Sequence, residues 1–138
     1  MKHLSILGAT GSIGTSALDI VRMHPDRFKV KALTAANNLP LLCRQIAEFT
    51  PDMVAVLDAA KARELAGMLT GPCRPDIVFG DPGYVQAAAW DTTDIVLLAM
   101  VGSAGLKPAL AAIDAQKDIA LAIDITDSSG EDSIWSAT

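Results

Sequence analysis

The sequence predicts an α/β fold, a doubly wound parallel sheet with helices on both faces. Three observations predict it. Short apolar runs alternate with segments of helical period along most of the chain, the order that right-handed crossovers turn into a parallel sheet. The composition is 51% hydrophobic but only 4% aromatic, so Ala, Leu, Ile and Val must fill the interior, which suits buried parallel strands. The first apolar run ends at a spaced set of glycines, Gly8, Gly11 and Gly14, where a strand can hand over to a helix.

The elements follow in order. His3 to Leu7 is a short apolar strand. Ser12 to Met23 places Ile13, Ala17, Ile20 and Val21 at helical spacing, and Pro25 stops it. Phe28 to Thr34 alternates, with Lys29 and Lys31 on one side, which predicts a strand near a sheet edge. Leu39 to Phe49 is a helix with Pro40 in its first turn. Met53 to Leu57 is a third strand, and Asp58 caps a helix running to Leu69. Ile77 to Phe79 is a short strand and Tyr84 to Trp90 a short helix. Asp94 to Met100, the most apolar run, is a central strand; Gly105 to Ala115 is a helix and Ile119 to Ile123 a last strand. After residue 124 the pattern dissolves into Thr126 to Ser133, a polar stretch of turn composition, so the expected organisation is one domain over 1–123 and a polar tail over 124–138.

Charge excludes several functions. The net charge of −5 comes with no basic run, which argues against a nucleic-acid or membrane-surface partner. No apolar run approaches the ~20 residues that span a bilayer, and the N-terminus shows no secretory pattern. Cys43 and Cys73 fit no metal or redox spacing and read as reduced thiols. A cytoplasmic protein is expected.

An acidic chain that binds phosphate must use backbone dipoles, and Gly8-Ala-Thr-Gly-Ser-Ile-Gly14 supplies them. Gly8 permits the turn out of the strand, Gly11 clears the approach of a pyrophosphate, and Gly14 lets the helix pack closely. The free N–H groups and the positive end of the helix dipole then form the anion site, with Thr10 and Ser12 adding hydroxyls. This predicts a Rossmann-like dinucleotide-binding domain. The second strand ends in Thr34-Ala-Ala-Asn-Asn38, without the acid that would hold a ribose 2′-hydroxyl and repel a 2′-phosphate. NADPH is therefore favoured over NADH, although Asn37-Asn38 also suits a plain turn. A second glycine turn, Met100-Val-Gly-Ser-Ala-Gly105, follows the central strand and is placed either to touch the nicotinamide half or simply to connect two elements. His3, His24, Asp91, Asp94, Trp90 and Trp135 read as structural or solvated, and no catalytic constellation or metal set emerges.

These residues resemble the 1-deoxy-D-xylulose 5-phosphate reductoisomerase family. The resemblance rests on Leu4-Ser-Ile-Leu-Gly-Ala-Thr-Gly-Ser-Ile-Gly14, Leu18-Asp-Ile-Val21, His24-Pro25, Phe28-x-Val30, Ala35-x-x-Asn38, Met100-Val-Gly-Ser-Ala-Gly-Leu-x-Pro108 and Leu110-Ala-Ala-Ile113. It implies that Thr10, Gly11, Ser12 and Ile13 bind the cofactor phosphates. It further implies that Ala36, Asn37 and Asn38 surround the 2′-phosphate and that Ala99, Met100, Val101 and Gly102 lie towards the nicotinamide. The family's enzyme rearranges 1-deoxy-D-xylulose 5-phosphate on a divalent metal (Mg, Mn or Co) and reduces the product with NADPH to 2-C-methyl-D-erythritol 4-phosphate, in non-mevalonate isoprenoid synthesis.

Where the family continues Ala-Asn-Lys-Glu, this chain reads Ala122-Ile-Asp-Ile-Thr126. Ile123 and Asp124 thus replace residues that touch cofactor and substrate, and the family's metal ligands and substrate phosphate site lie further on. The expectation is a truncated domain that seats NADPH and is inactive alone, its sugar-phosphate substrate requiring the missing domains. Surfaces those domains normally cover favour self-association, a homodimer in the simplest case. The alternatives are a stand-alone NADPH-sensing module and a different NADP-dependent reductase; the latter needs a catalytic residue after Met100, and none stands out.

Overall fold

The computed structural model describes residues 1–100, 105–122 and 134–137. Strands and helices alternate as β1 (Lys2–Leu7), α1 (Ser12–Met23), β2 (Phe28–Thr34), α2 (Leu39–Phe49), β3 (Met53–Val56) and α3 (Ala59–Met68), then β4 (Asp76–Phe79), α4 (Gly80–Ala88), β5 (Ile95–Leu98), α5 (Leu106–Asp114), β6 (Asp118–Ala122) and β7 (Ile134–Ala137). The sheet order is β4-β3-β2-β1-β5-β6-β7. The pairs from β4 through β6 are all parallel, and only β7 runs antiparallel, against β6.

Two apolar layers sandwich the sheet. One gathers Ile6, Leu18, Leu33, Leu42, Ile46, Val54 and Leu65, which places α1, α2 and α3 on one face. The other gathers Leu7, Met53, Ala87, Ala88, Val96 and Ala112 under α4 and α5. The doubly wound prediction therefore holds, with small aliphatic side chains packing both sides. The order reverses at β1: the chain leaves it towards β2, β3 and β4, then returns to its other side with β5. Ligands bind beyond the carboxyl ends of the strands at such a switch point.

Local chemistry sets the helix ends. The Asn38 side chain accepts the Leu41 N–H at 3.3 Å and caps α2, and Asp58 accepts the Lys61 N–H at 2.8 Å and caps α3. Thr50 closes α2 in the left-handed region, at φ 46°, immediately before Pro51, a residue that restricts its predecessor.

Three expectations are corrected. β2 is an interior strand, not an edge one. β3 pairs only with Ala32, Leu33 and Thr34, so the first half of β2 projects beyond its neighbour. The alternation marks that local overhang, where Lys29 donates to Thr50 Oγ1 at 2.9 Å and Lys31 pairs with Asp52 at 3.6 Å. The helix expected from Tyr84 begins at Gly80 instead. Gly80 turns the chain straight out of β4 at φ 71°, and Pro82 sits in the first turn, where a missing N–H costs nothing. Within residues 124–138, where no element is expected, Ile134–Ala137 forms the edge strand β7; its β-branched and aromatic start suits a strand.

No helix among the described residues is long and apolar enough to cross a membrane.

Candidate functional site

The carboxyl ends of β1, β2 and β5 open on a cleft of about 330 Å³, lined by Gly8, Thr10, Gly11, Thr34, Ala35, Ala36, Tyr84, Ala99 and Met100. No charged side chain is among them. The turn out of β1 is tight: Gly8 has φ 91°, and a Cβ there would stand 2.8 Å from the Ala99 carbonyl oxygen. This close approach joins the β1 turn to the end of β5, where the Ala99 N–H donates to the Leu7 carbonyl at 2.8 Å.

The turn itself is held from β2. The Gly8 N–H donates to Thr34 Oγ1 at 2.9 Å, and the Ala9 N–H donates to the Thr34 carbonyl at 2.8 Å. The Gly11 N–H then closes on the Gly8 carbonyl at 3.2 Å, and the first helical bond of α1 runs from Thr15 N–H to the Gly11 carbonyl at 2.9 Å. The amides of Ser12, Ile13 and Gly14 precede that bond, so the helix itself gives them no acceptor. No side chain caps α1 either. An uncapped N-terminus of this kind carries a partial positive charge and outward-facing N–H donors, an anion site built from backbone alone.

The two later glycines of the motif serve different purposes. A Cβ on Gly14 would lie 2.1 Å from the Gly8 carbonyl oxygen and 2.7 Å from Ala9 Cα. A Cβ on Gly11 would meet only the Gly8 carbonyl oxygen, at an ordinary 3.6 Å. The protein's own atoms thus exclude a side chain at Gly14 but leave open space at Gly11.

Of the residues expected at the site, Gly8, Thr10, Gly11, Ala36, Ala99 and Met100 line the cleft. Ser12, Ile13 and Gly14 form the first turn of α1 behind them. Asn37 and Asn38 are exposed beside Ala36 at the start of α2; with Asn38 Oδ1 used by the cap, its Nδ2 remains a donor. Val101 and Gly102 lie outside the described residues, as does Ile123.

Thr34 and Ala35, which sequence reasoning places in the segment that ends β2 without naming them as site residues, also line the cleft, as does Tyr84, which it misses. Tyr84 reaches the cleft from α4 and donates its hydroxyl to the Ala35 carbonyl at 3.4 Å. Burial, followed by the negative charges of Asp81 and Asp58, pushes the phenol above its usual range, so it stays a protonated donor. Its only signal in the sequence is that it is the single tyrosine.

The weaker candidates lie elsewhere. His3 and Asp94 clasp each other at the amino end of the sheet, the His3 N–H donating to the Asp94 carboxylate at 2.8 Å; that bond lowers the Asp94 pKa. Cys43 and Cys73 are free and half-buried, both facing a small cavity of about 120 Å³. Among the described residues, no group of three or more His, Cys, Asp or Glu side chains is placed to hold a metal ion.

Comparison with known proteins bears on the family and the fold. The family model described as 1-deoxy-D-xylulose 5-phosphate reductoisomerase matches residues 4–123. The enzyme of that name from Geobacter metallireducens is 56% identical over 122 residues, 88% of this chain and 32% of the relative. That from Chlorobaculum tepidum is 52% identical over the same number of residues, again 88% of this chain and 32% of the relative. The chain therefore spans about a third of the length of the curated relatives it matches. Among solved structures, the fold is similar to DOX-P reductoisomerase in complex with NADPH, fosmidomycin and magnesium, with TM-score 0.82 and 38% identity over 86% of this chain and 29% of that one. It is also similar to the Zymomonas mobilis reductoisomerase in complex with NADPH, with TM-score 0.81 and 36% identity over 88% of this chain and 31% of that one.

Proposed function

The chain belongs to the 1-deoxy-D-xylulose 5-phosphate reductoisomerase family, and from that premise we propose that it is the family's NADPH-binding domain. The observation that carries this reading is the uncapped N-terminus of α1 beside the open space at Gly11. The cofactor's pyrophosphate fits there, received by the amides of Ser12, Ile13 and Gly14 and by the Thr10 and Ser12 hydroxyls. Ala36, Asn37 and Asn38 then receive the 2′-phosphate through backbone and amide donors. Ala99 and Met100, with Val101 and Gly102 following them, stand on the nicotinamide side.

When bound, NADPH supplies the hydride for reduction. This chain's residues hold and orient it, and Tyr84 supports the adenosine end by fixing the Ala35 carbonyl. No described residue set suits the divalent metal that the family's full-length enzyme uses. In this reading the conversion of 1-deoxy-D-xylulose 5-phosphate and the sugar-phosphate site are assigned to the part of the relatives' length that this chain does not match. Free thiols at Cys43 and Cys73 accord with a cytoplasmic setting.

Two experiments test the reading. Calorimetric titration should show NADPH binding at least about tenfold tighter than NADH, the effect of one or two hydrogen bonds to a charged group; equal affinities would remove the 2′-phosphate role from Ala36, Asn37 and Asn38. Incubation with 1-deoxy-D-xylulose 5-phosphate, NADPH and manganese should leave the 340 nm absorbance flat. Steady cofactor oxidation would show that the chain carries its own catalytic groups.

A further inference from the structure

Gln45 lies on α2, outside the cleft, and is only 5% exposed. Its Nε2 donates to the Ala9 carbonyl at 2.9 Å, across 36 residues of sequence. Its Oε1 is buried and has no partner among the described residues. This is a poor arrangement for stability, because a buried acceptor without a hydrogen bond is costly and an apolar side chain of similar size carries no such group. The amide also has a single usable orientation, since turning it would set Oε1 against the Ala9 carbonyl oxygen.

Its effect falls on the turn that precedes α1. The Gly8 and Ala9 amides are already fixed from β2 by Thr34. Gln45 holds the opposite side of the same segment, so Ala9 is tied to β2 through its N–H and to α2 through its carbonyl. The Ala9 carbonyl shares its peptide plane with the Thr10 N–H, so the bond from Gln45 fixes that plane, and the Ser12, Ile13 and Gly14 amides follow from it along the chain.

We propose that Gln45 is a positioning residue for the pyrophosphate: through the Ala9 carbonyl it orients the amides of the glycine turn towards the cofactor. This rests on the reading of the cleft as an NADPH site.

The test uses Gln45→Met in the 138-residue chain, which keeps the side-chain volume and removes the donor. Three quantities separate positioning from packing: the melting temperature, the Kd for NADPH, and the Kd for adenosine 2′-monophosphate by NMR titration. The last probe reaches the 2′-phosphate region and lacks a pyrophosphate. Expected are a melting temperature within about 4 °C of the parent's, NADPH weakened about tenfold, and the monophosphate changed by less than about twofold. An unchanged NADPH affinity overturns the proposal. A parallel loss of both ligands also overturns it, because α2 as a whole has then moved, and so does a large drop in melting temperature, which makes the amide structural. If the parent chain itself fails to bind NADPH, the reading of the cleft falls first and this inference with it.

Discussion

Gly14→Ala is expected to destabilise the fold severely, lowering stability by at least about 3 kcal/mol, the upper end for forcing extra volume into a packed site. The new methyl would stand 2.1 Å from the Gly8 carbonyl oxygen and 2.7 Å from Ala9 Cα. Both obstacles are backbone, held by the Thr34 and Gln45 bonds, and neither can swing aside as a side chain would. The start of α1 would have to move off the end of β1, drawing Ala17, Leu18 and Val21 out of the core they share with Ile6 and Leu33. Thermal unfolding should show a loss of more than about 10 °C in a domain of this size. A variant that melts within a few degrees of the parent would mean that the α1 turn is more yielding than its hydrogen bonds imply.

Gly11→Ala should do the opposite: keep the fold and lose the ligand. Its backbone, at φ −79° and ψ 174°, is open to any residue, and the added Cβ meets one atom at 3.6 Å. Stability should stay within about 1 kcal/mol, and the narrower unfolded ensemble of alanine can even raise it. NADPH affinity should fall about 100-fold, about 2.7 kcal/mol, because on the proposed reading the methyl occupies the space through which the pyrophosphate reaches the amides. Circular dichroism melts together with calorimetric titration check both halves. Undiminished NADPH binding by a folded Gly11→Ala chain would displace the pyrophosphate from this turn.

This pair of glycines shows where the sequence was legible. The spacing from Gly8 to Gly14 encodes a local event, a strand turning into a helix, and local events leave local marks. For the same reason the bounds of α1 are found where Pro25 places its end. Tyr84 and Gln45 left no such mark. Tyr84 meets Ala35 across 49 residues and Gln45 meets Ala9 across 36, and in both cases it is the crossing of the sheet that brings them together. Each occupies a helical position indistinguishable by period from its neighbours. The misplaced edge strand has a related cause: alternation at Lys29 and Lys31 reports one-sided burial truthfully, but the sequence holds no statement of how short β3 is beside it.

The central position of β1 also sets the order in which this molecule can assemble. Its partners on one side arrive early in the chain, but β5 closes the other side only after a long detour, with His3 and Asp94 meeting across 91 residues. Closures of that length are entropically slow steps, and folds rich in them reach the native state late. Until β5 docks, Ala99 does not face Gly8, and the cleft has no second wall. A ligand seated there bridges the first strand and β5, which are joined only by a long-range closure, and in stabilising the native chain by mass action it opposes global unfolding instead of stiffening one loop.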